Sequence, residues 1–184
     1  CCGAPISPRY PLTELAVGVL FAVTVIVNRH DSIAEIAIDF VFVTTLAAIT
    51  LTDLEQRIIP NKILLAAAII CVAIAAPTDS SGLPERFIAA AAAGGILFLV
   101  VFAYPKGMGL GDVKLAATMG LFLGRAVAPA IFAALLIGSA VGLVLIARHG
   151  SAARKMAIPF GPFLALGGVI GMLAGDQIMD AYLG

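Results

Sequence analysis

The chain has 184 residues, of which 61% are hydrophobic and 12% are charged, and its 11 basic and 11 acidic residues leave a formal net charge of zero. Soluble domains are about 45–50% apolar and about 25% charged, so the composition excludes an ordinary water-soluble domain. The absence of a basic excess and of Trp argues against a nucleic-acid-binding protein. Cys1, Cys2 and Cys71 are too few and too unevenly spaced for a disulfide framework or a four-thiolate zinc site. We therefore expect a membrane protein that takes no metal, no cofactor and no nucleic acid.

Seven apolar runs, separated by clusters of charge and proline, predict an all-α, polytopic bundle of transmembrane helices. They cover residues 12–27, 36–52, 63–76, 87–104, 113–123, 126–147 and 156–175. A bilayer core about 30 Å thick takes about 20 helical residues to cross, so the third and fifth runs are short for a span. Because no internal repeat or long linker divides the chain, we expect a cytoplasmic N-terminal remnant (1–11), one transmembrane domain (12–175) and an extracytoplasmic tail (176–184).

The basic residues between the runs indicate the orientation, because Lys and Arg collect on the cytoplasmic side of a membrane. With a cytoplasmic N-terminus and seven crossings, eight basic residues fall inside: Arg9, Arg57, Lys62, Lys106, Lys114, Arg148, Arg154 and Lys155. Three fall outside: Arg29, Arg86 and Arg125. If the fifth run did not cross, this 8:3 ratio would drop to 6:5. We therefore predict seven spans with the N-terminus in the cytoplasm.

This topology brings two carboxyls, those of Asp53 and Asp112, to the same end of the bundle. Asp53 closes the second run and Asp112 opens the fifth, so both lie at the cytoplasmic end although they are 59 residues apart. Two adjacent carboxyls share a proton, so that one can take a proton from water while the other donates to a scissile carbonyl, as in aspartic proteases. The residues alone leave two plainer interpretations open: a helix N-cap for Asp112 and an interfacial end residue for Asp53.

The segments around these aspartates carry a family resemblance. Segment 53–61 reads DLEQRIIPN and segment 107–115 reads GMGLGDVKL. Together they resemble the type IV prepilin peptidases, which are membrane aspartic endopeptidases of the GxGD class. Segment 2–15, CGAPISPRYPLTEL, is similar to the stretch that joins the family's cytosolic cysteine domain to its next helix, and segment 159–162, PFGP, is similar to its C-terminal proline motif.

The resemblance implies a bacterial inner-membrane enzyme that cleaves the short basic leader from prepilins or pseudopilins at the cytoplasmic face. It implies Asp53 and Asp112 as catalytic residues and substrates that approach as membrane-embedded helices. The family's second activity, methylation of the new pilin N-terminus, and zinc binding are not expected of this chain, because only Cys2 matches the cysteine pattern. Either the sequence is truncated or the natural protein lacks that domain. The sequence makes no prediction about the oligomeric state.

Five further residues are expected to support the two aspartates. Gly109 and Gly111 lack a Cβ, so the backbone before the second aspartate can bend and approach a helix or a substrate closely, although simple helix packing also explains them. Pro60 suits the first turn of the third helix, and Asn61 can satisfy backbone groups there. Lys114 is either an anchor at the inner membrane boundary or a contact to substrate.

Two other functions stay open at this stage. A presenilin-like protease or a preflagellin peptidase shares the GxGD motif, but the presenilin-like group pairs it with Tyr-Asp, whereas Asp53 follows Thr52. In a small transporter or structural bundle, the two aspartates would conduct protons or cap helices. Transporters place their site near the bilayer midplane, often between repeated halves, and neither feature is visible here. The sequence therefore favours a prepilin peptidase.

Overall fold

The computed structural model describes residues 9–28, 32–105, 108–150 and 159–183, which form seven α-helices and one 3₁₀ turn, with no strand among them. The helices are α1 (Arg9–Val27), α2 (Ile33–Gln56), α3 (Asn61–Thr78), α4 (Leu83–Ala103), α5 (Leu110–Leu123), α6 (Val127–His149) and α7 (Gly161–Leu183). The 3₁₀ turn Gly124–Ala126 joins α5 to α6. Each of the first six predicted runs coincides with one helix to within four residues, the seventh run corresponds to α7, which ends eight residues later than predicted, and the all-α class is confirmed. Predictions for Cys1, Cys2, Lys106, Gly107 and residues 156–158 concern positions outside the described ranges.

Helix α2 is longer than its apolar run because specific residues begin and end it. Ser32 is the N-cap: its Oγ accepts the Glu35 N–H at 3.2 Å, and a Glu35 carboxylate oxygen accepts the Ser32 N–H at 2.8 Å. This reciprocal pair of bonds is a capping box. At the other end Arg57 takes the left-handed conformation (φ 54°), and its N–H donates to the Asp53 carbonyl at 2.9 Å. The helix therefore stops about one turn after Asp53 and extends beyond the apolar run at both ends.

Five segments of the described chain are long and apolar enough to cross a membrane: Ile33–Gln56, Asn61–Thr78, Leu83–Ala103, Leu110–Arg148 and Gly161–Tyr182. Helix α1 adds a shorter apolar stretch, Pro11–Val27. The fourth segment holds both α5 and α6, and the 14 residues of α5 alone extend only about 21 Å. Length and composition thus give a multi-pass membrane protein, whereas the seven-span count and the cytoplasmic N-terminus stay predictions.

Helix α5 lies at the centre of the bundle, where it contacts α2, α3, α4, α6 and α7. Its Leu115 and Met119 side chains have no solvent exposure and belong to the same core cluster as Phe42 and Ile49 of α2 and Leu164 of α7. The most extensive pairings are α4 with α5 and α6 with α7. This packing fixes the first turn of α5 relative to the end of α2 and the beginning of α7.

Glycine allows a close helix approach between α4 and α5. A Cβ built at Gly120 would lie 2.6 Å from the backbone carbonyl atoms of Ala89 and from the Cα of Ala90, and backbone atoms cannot move aside cheaply. In contrast, a Cβ at Gly95 of α4 would meet no atom within 4 Å. Small residues at such contacts are the usual device by which membrane helices pack.

Gly120→Ala is therefore expected to lower the free energy of unfolding by about 1–3 kcal/mol, the typical cost of overpacking. Gly95→Ala is the matched control, and we expect it to leave stability unchanged or slightly raised, since alanine favours helix more than glycine does. The measurement is unfolding of the detergent-solubilised protein, followed by far-UV circular dichroism. Equal stability of the two variants would contradict this account of the α4 and α5 contact.

An ion-pair cluster ties the far end of α5 to α4 and α7. Arg125, in the 3₁₀ turn, pairs with Asp176 at 3.0 Å and with Asp180 at 2.9 Å, and its backbone N–H donates to Glu85 Oε1 at 3.0 Å. Asp176 and Asp180 belong to the predicted tail, which the structure instead continues as helix to Leu183. The two acidic residues stand one helical turn apart, so both can reach the same arginine.

Candidate active site

Asp53 and Asp112 line one cavity of about 310 Å³ at the end of the bundle where α2 ends and α5 begins. Both are buried, with exposures of 6% and 7%. Buried carboxyls are uncommon unless they have partners or a function. Four of the five residues expected to support the two aspartates also line the cavity: Asn61, Gly109, Gly111 and Lys114. Pro60 does not. The structure thus brings together carboxyls that are far apart in the sequence.

Asp53 is oriented by the first residue of α7. Its Oδ2 accepts the Gly161 N–H at 2.9 Å, in a buried hydrogen bond between residues 108 positions apart in the chain. The first N–H groups of a helix have no partner within the helix, so Gly161 has a donor available for a carboxylate. The partial positive charge at a helix N-terminus favours the same contact. Asp53 is therefore held by the junction of α2 with α7.

Asp112 is oriented by its own helix terminus. The N-cap of α5 is Gly109, and Asp112 lies three residues further on. Its Oδ2 accepts the Gly109 N–H at 3.0 Å, and its own N–H donates to the Gly109 carbonyl at 3.1 Å. The interpretation of Asp112 as the N-cap is therefore wrong, because Gly109 is the N-cap. The Asp112 side chain nevertheless accepts a hydrogen bond from the backbone at the start of the helix. The bond fixes a buried carboxyl at the cavity.

The two glycines of the motif contribute differently. A Cβ at Gly111 would lie 3.1 Å from the Ile59 Cβ and 3.4 Å from two further atoms of that side chain, so this glycine lets α5 approach the segment after α2. A Cβ at Gly109 would meet Asp112 Oδ2 at 3.6 Å, an ordinary contact. The predicted close approach therefore applies at Gly111, where it brings Ile59 against the start of α5.

Lys114 and Asn61 bond each other across the cavity. The Lys114 Nζ donates to Asn61 Oδ1 at 3.0 Å and so connects the first turns of α5 and α3. The sequence predicts that Asn61 satisfies nearby backbone groups, but its side-chain oxygen instead accepts the hydrogen bond from the Lys114 ammonium. Pro60 is the N-cap of α3 (φ −69°), and its carbonyl accepts the N–H groups of Ile63 and Leu64 at 3.1 and 3.4 Å. The segment between the helices is thereby held beside the two carboxyls.

Three residues that line the cavity had no role assigned from the sequence, although all lie within the quoted segment 53–61: Arg57, Ile58 and Ile59. A fourth residue without an assigned role, Gly161, does not line the cavity but bonds Asp53. Gly161 lies within the PFGP segment, whose resemblance to a family motif was the available signal. The sequence gives no indication that this motif packs against Asp53. The contact depends on how α7 crosses α2.

The geometry supports general acid and base chemistry by two carboxyls. Each has one oxygen held by a backbone N–H, and both line the same cavity. Lys114 and Arg57 add two cations at the cavity, which attract carbonyl oxygens and carboxylates. Hydrolysis by a carboxyl pair requires one protonated and one ionised group, and two buried carboxyls at one cavity can fill these two roles.

Comparison with known proteins agrees with the family resemblance of the segments around Asp53 and Asp112. The model of the type IV leader peptidase family matches residues 40–147, which contain Asp53 and Asp112. A prepilin leader peptidase/N-methyltransferase of Bacillus subtilis is 36% identical over 193 residues, covering 99% of this chain and 73% of that protein. Proteins of the same name from Aeromonas hydrophila and Legionella pneumophila are 32% and 29% identical, and the chain spans 64% and 65% of their lengths. No solved structure matches significantly.

Proposed function

This chain belongs to the type IV leader peptidase family, and we propose that it cleaves the leader peptide of type IV prepilins or pseudopilins with Asp53 and Asp112 as its catalytic pair. The observation that carries the proposal is the burial of these two carboxyls at one cavity. Relatives at 29–36% identity that cover the whole chain and bear the name of that activity supply the substrate class.

In the proposed reaction the scissile peptide lies in the cavity between the two carboxyls. The ionised carboxyl takes a proton from water, and the water oxygen attacks the peptide carbonyl carbon. The neutral carboxyl gives its proton to the carbonyl oxygen. The tetrahedral intermediate then collapses and its C–N bond breaks. The amine leaves with the proton that the initially ionised carboxyl had taken from water, and the initially neutral carboxyl takes a proton back from a hydroxyl of the intermediate. Gly161 and Gly109 keep the two carboxyls in place for both steps.

The direct test is removal of the leader from an epitope-tagged prepilin that is co-expressed with this chain. The proposal predicts a product of higher gel mobility that has lost the leader. A panel of prepilins that stays at full length throughout would contradict the proposed function. The transporter alternative is disfavoured because Asp53 lies in the last turn of α2 and Asp112 in the first turn of α5, whereas a transporter site needs polar groups near the middle of the spans.

We also propose that the chain lies in the bacterial inner membrane with seven spans, the N-terminus in the cytoplasm and the catalytic cavity on the cytoplasmic side. The 8:3 distribution of basic residues supports this orientation. Labelling with a membrane-impermeant thiol reagent checks it, with Cys1 and Cys2 replaced by serine.

In that background, Glu55→Cys is expected to react only when the reagent reaches the cytoplasmic face, because Glu55 is exposed beside the cavity end of α2. Ser81→Cys, exposed in the turn between α3 and α4, is the matched control and should react only from the other face. Inverted and right-side-out vesicles provide the two orientations. Reaction of both residues from one face would contradict the proposed topology.

A further inference from the structure

An apolar groove between α2 and α3 is separate from the catalytic cavity. It encloses about 540 Å³ and is lined on α2 by Val41, Thr44 and Ala48 and on α3 by Ile63, Ala66 and Ile70, among others. The lining on α2 spans nine residues, or about 12 Å along the helix. The groove is open along one side of the bundle, where the exposed faces of Thr44 and Ala66 look outward. It is therefore accessible to something that lies alongside the helices.

The surface of this groove is apolar even where its residues are polar. The Thr44 hydroxyl donates to the Phe40 carbonyl at 2.8 Å, and the Thr45 hydroxyl donates to the Val41 carbonyl at 2.7 Å. Both hydroxyls thus form hydrogen bonds within α2. Alanines on both helices leave room for another helix to approach the groove closely. The charged member of the lining is Lys62, in the first turn of α3. The groove suits an apolar occupant that meets a cation at one end.

That end of the groove adjoins the catalytic cavity. Lys62 directly follows Asn61, which lines the cavity, and Ala48 precedes Asp53 by five residues, or about 7.5 Å along α2. The groove therefore begins about one and a half turns from a catalytic carboxyl and leads away from it along the membrane-spanning part of α2. A polar cavity followed by an apolar groove is complementary to a polypeptide whose cleavable segment is followed by an apolar one.

We propose that the groove between α2 and α3 holds an apolar, membrane-embedded helix of the substrate, while the bond to be cut lies in the catalytic cavity. The inference rests on the proposed function and assigns the surface that binds the substrate outside the cavity. An apolar segment in a bilayer must satisfy its own backbone and is therefore helical. Continuity with the cavity favours this occupant over a lipid acyl chain, because an acyl chain gains nothing from a neighbouring carboxyl pair.

The first test fills the groove. Ala66→Phe places a large side chain on its α3 wall, and Ala92→Phe, at an exposed alanine of α4, is the matched control. Cleavage is measured on a full-length prepilin in the same vesicles and on a soluble peptide limited to the residues that flank the cleavage site. We expect Ala66→Phe to lower kcat/KM for the full-length prepilin, because its helix can no longer pack in the groove. This decrease should exceed the decrease for the peptide about fivefold or more. Ala92→Phe should change neither substrate's kcat/KM.

Equal effects of Ala66→Phe on the two substrates would overturn the proposal, and so would cleavage of the full-length prepilin at the wild-type rate. The proposed function fails in a different way: the unaltered chain would then cleave neither substrate.

The second test identifies the occupant by photocrosslinking. A benzophenone amino acid replaces Thr44 in the groove or, as the control, Phe98 on the exposed side of α4. The proposal predicts a covalent adduct with the apolar segment of the prepilin from position 44 and not from position 98. Adducts with lipid alone, or with the prepilin equally from both positions, would overturn it.

Discussion

Asp53→Asn and Asp112→Asn are each expected to lower the rate of leader cleavage by about 10³-fold, within the range that general acid or base catalysis contributes. Each role needs a carboxyl, and an amide can neither accept the proton of the attacking water nor supply a proton to the carbonyl oxygen. The side chains are isosteric, and each amide oxygen can still accept the backbone N–H that holds the native carboxylate. The measurement is the initial rate of cleavage of a prepilin in vesicles at equal membrane levels of each variant.

The double variant is expected to be no slower than either single variant, because residues that act as one unit lose their whole effect together. Glu55→Gln is the matched control: it removes an exposed carboxyl from the same turn of α2, outside the cavity, and should cleave at close to the wild-type rate. If either aspartate variant kept nearly full activity, that residue would not belong to the catalytic pair.

Gly161→Ala is expected to lower kcat about 10²-fold with little change in KM, because a displacement of a catalytic group by about 1 Å has an effect of this size. A Cβ at this position would lie 2.5 Å from Asp53 Oδ2 and 3.1 Å from its Cγ, so the carboxyl must move. Gly161 bonds Asp53 and does not line the cavity, so we treat it as a positioning residue. A general loss of folding would also lower the apparent kcat at unchanged KM, so both parameters are referred to the amount of folded protein, measured by far-UV circular dichroism of the purified variant.

Gly142→Ala on α6 is the control for this substitution, because a Cβ there would meet nothing within 4 Å. We expect it to leave both kcat and KM at their wild-type values. A Gly161→Ala variant with wild-type kcat would show that the Gly161 N–H and the space beside it are not needed to orient Asp53.

The helices could be predicted from sequence because each is an apolar run between charged or proline-rich segments. Their ends were less predictable. The start of α2 at Ile33 depends on the reciprocal bonds of Ser32 and Glu35, which extend the helix beyond its apolar stretch. The polar end of α7 looked like a tail, since its acidic residues gave no sign that Arg125 lies within reach. Both differences come from polar contacts that hydropathy does not describe.

The meeting of Asp53 and Asp112 was predictable from the parity of the spans and from the motifs, because both residues sit at helix ends on one side of the predicted bundle. The bonds that orient them divide into two kinds. The bond from Gly109 to Asp112 is local and belongs to the helix terminus. Those from Gly161 to Asp53 and from Lys114 to Asn61 join residues 108 and 53 positions apart, so they depend on helix packing for which the sequence contains no pattern.

The central claim is that this chain cuts prepilin leaders with the carboxyls of Asp53 and Asp112. Its most direct test is to reconstitute the purified chain with a prepilin in lipid vesicles and to determine the mass of the product for the wild type and for each Asp→Asn variant. The proposal predicts a single new mature species, lighter by the leader, from the wild type, and only uncut prepilin from both variants over the time that the wild type needs for complete cleavage. A mature product from either variant within that time, or none from the wild type with any prepilin of the panel, would contradict the claim.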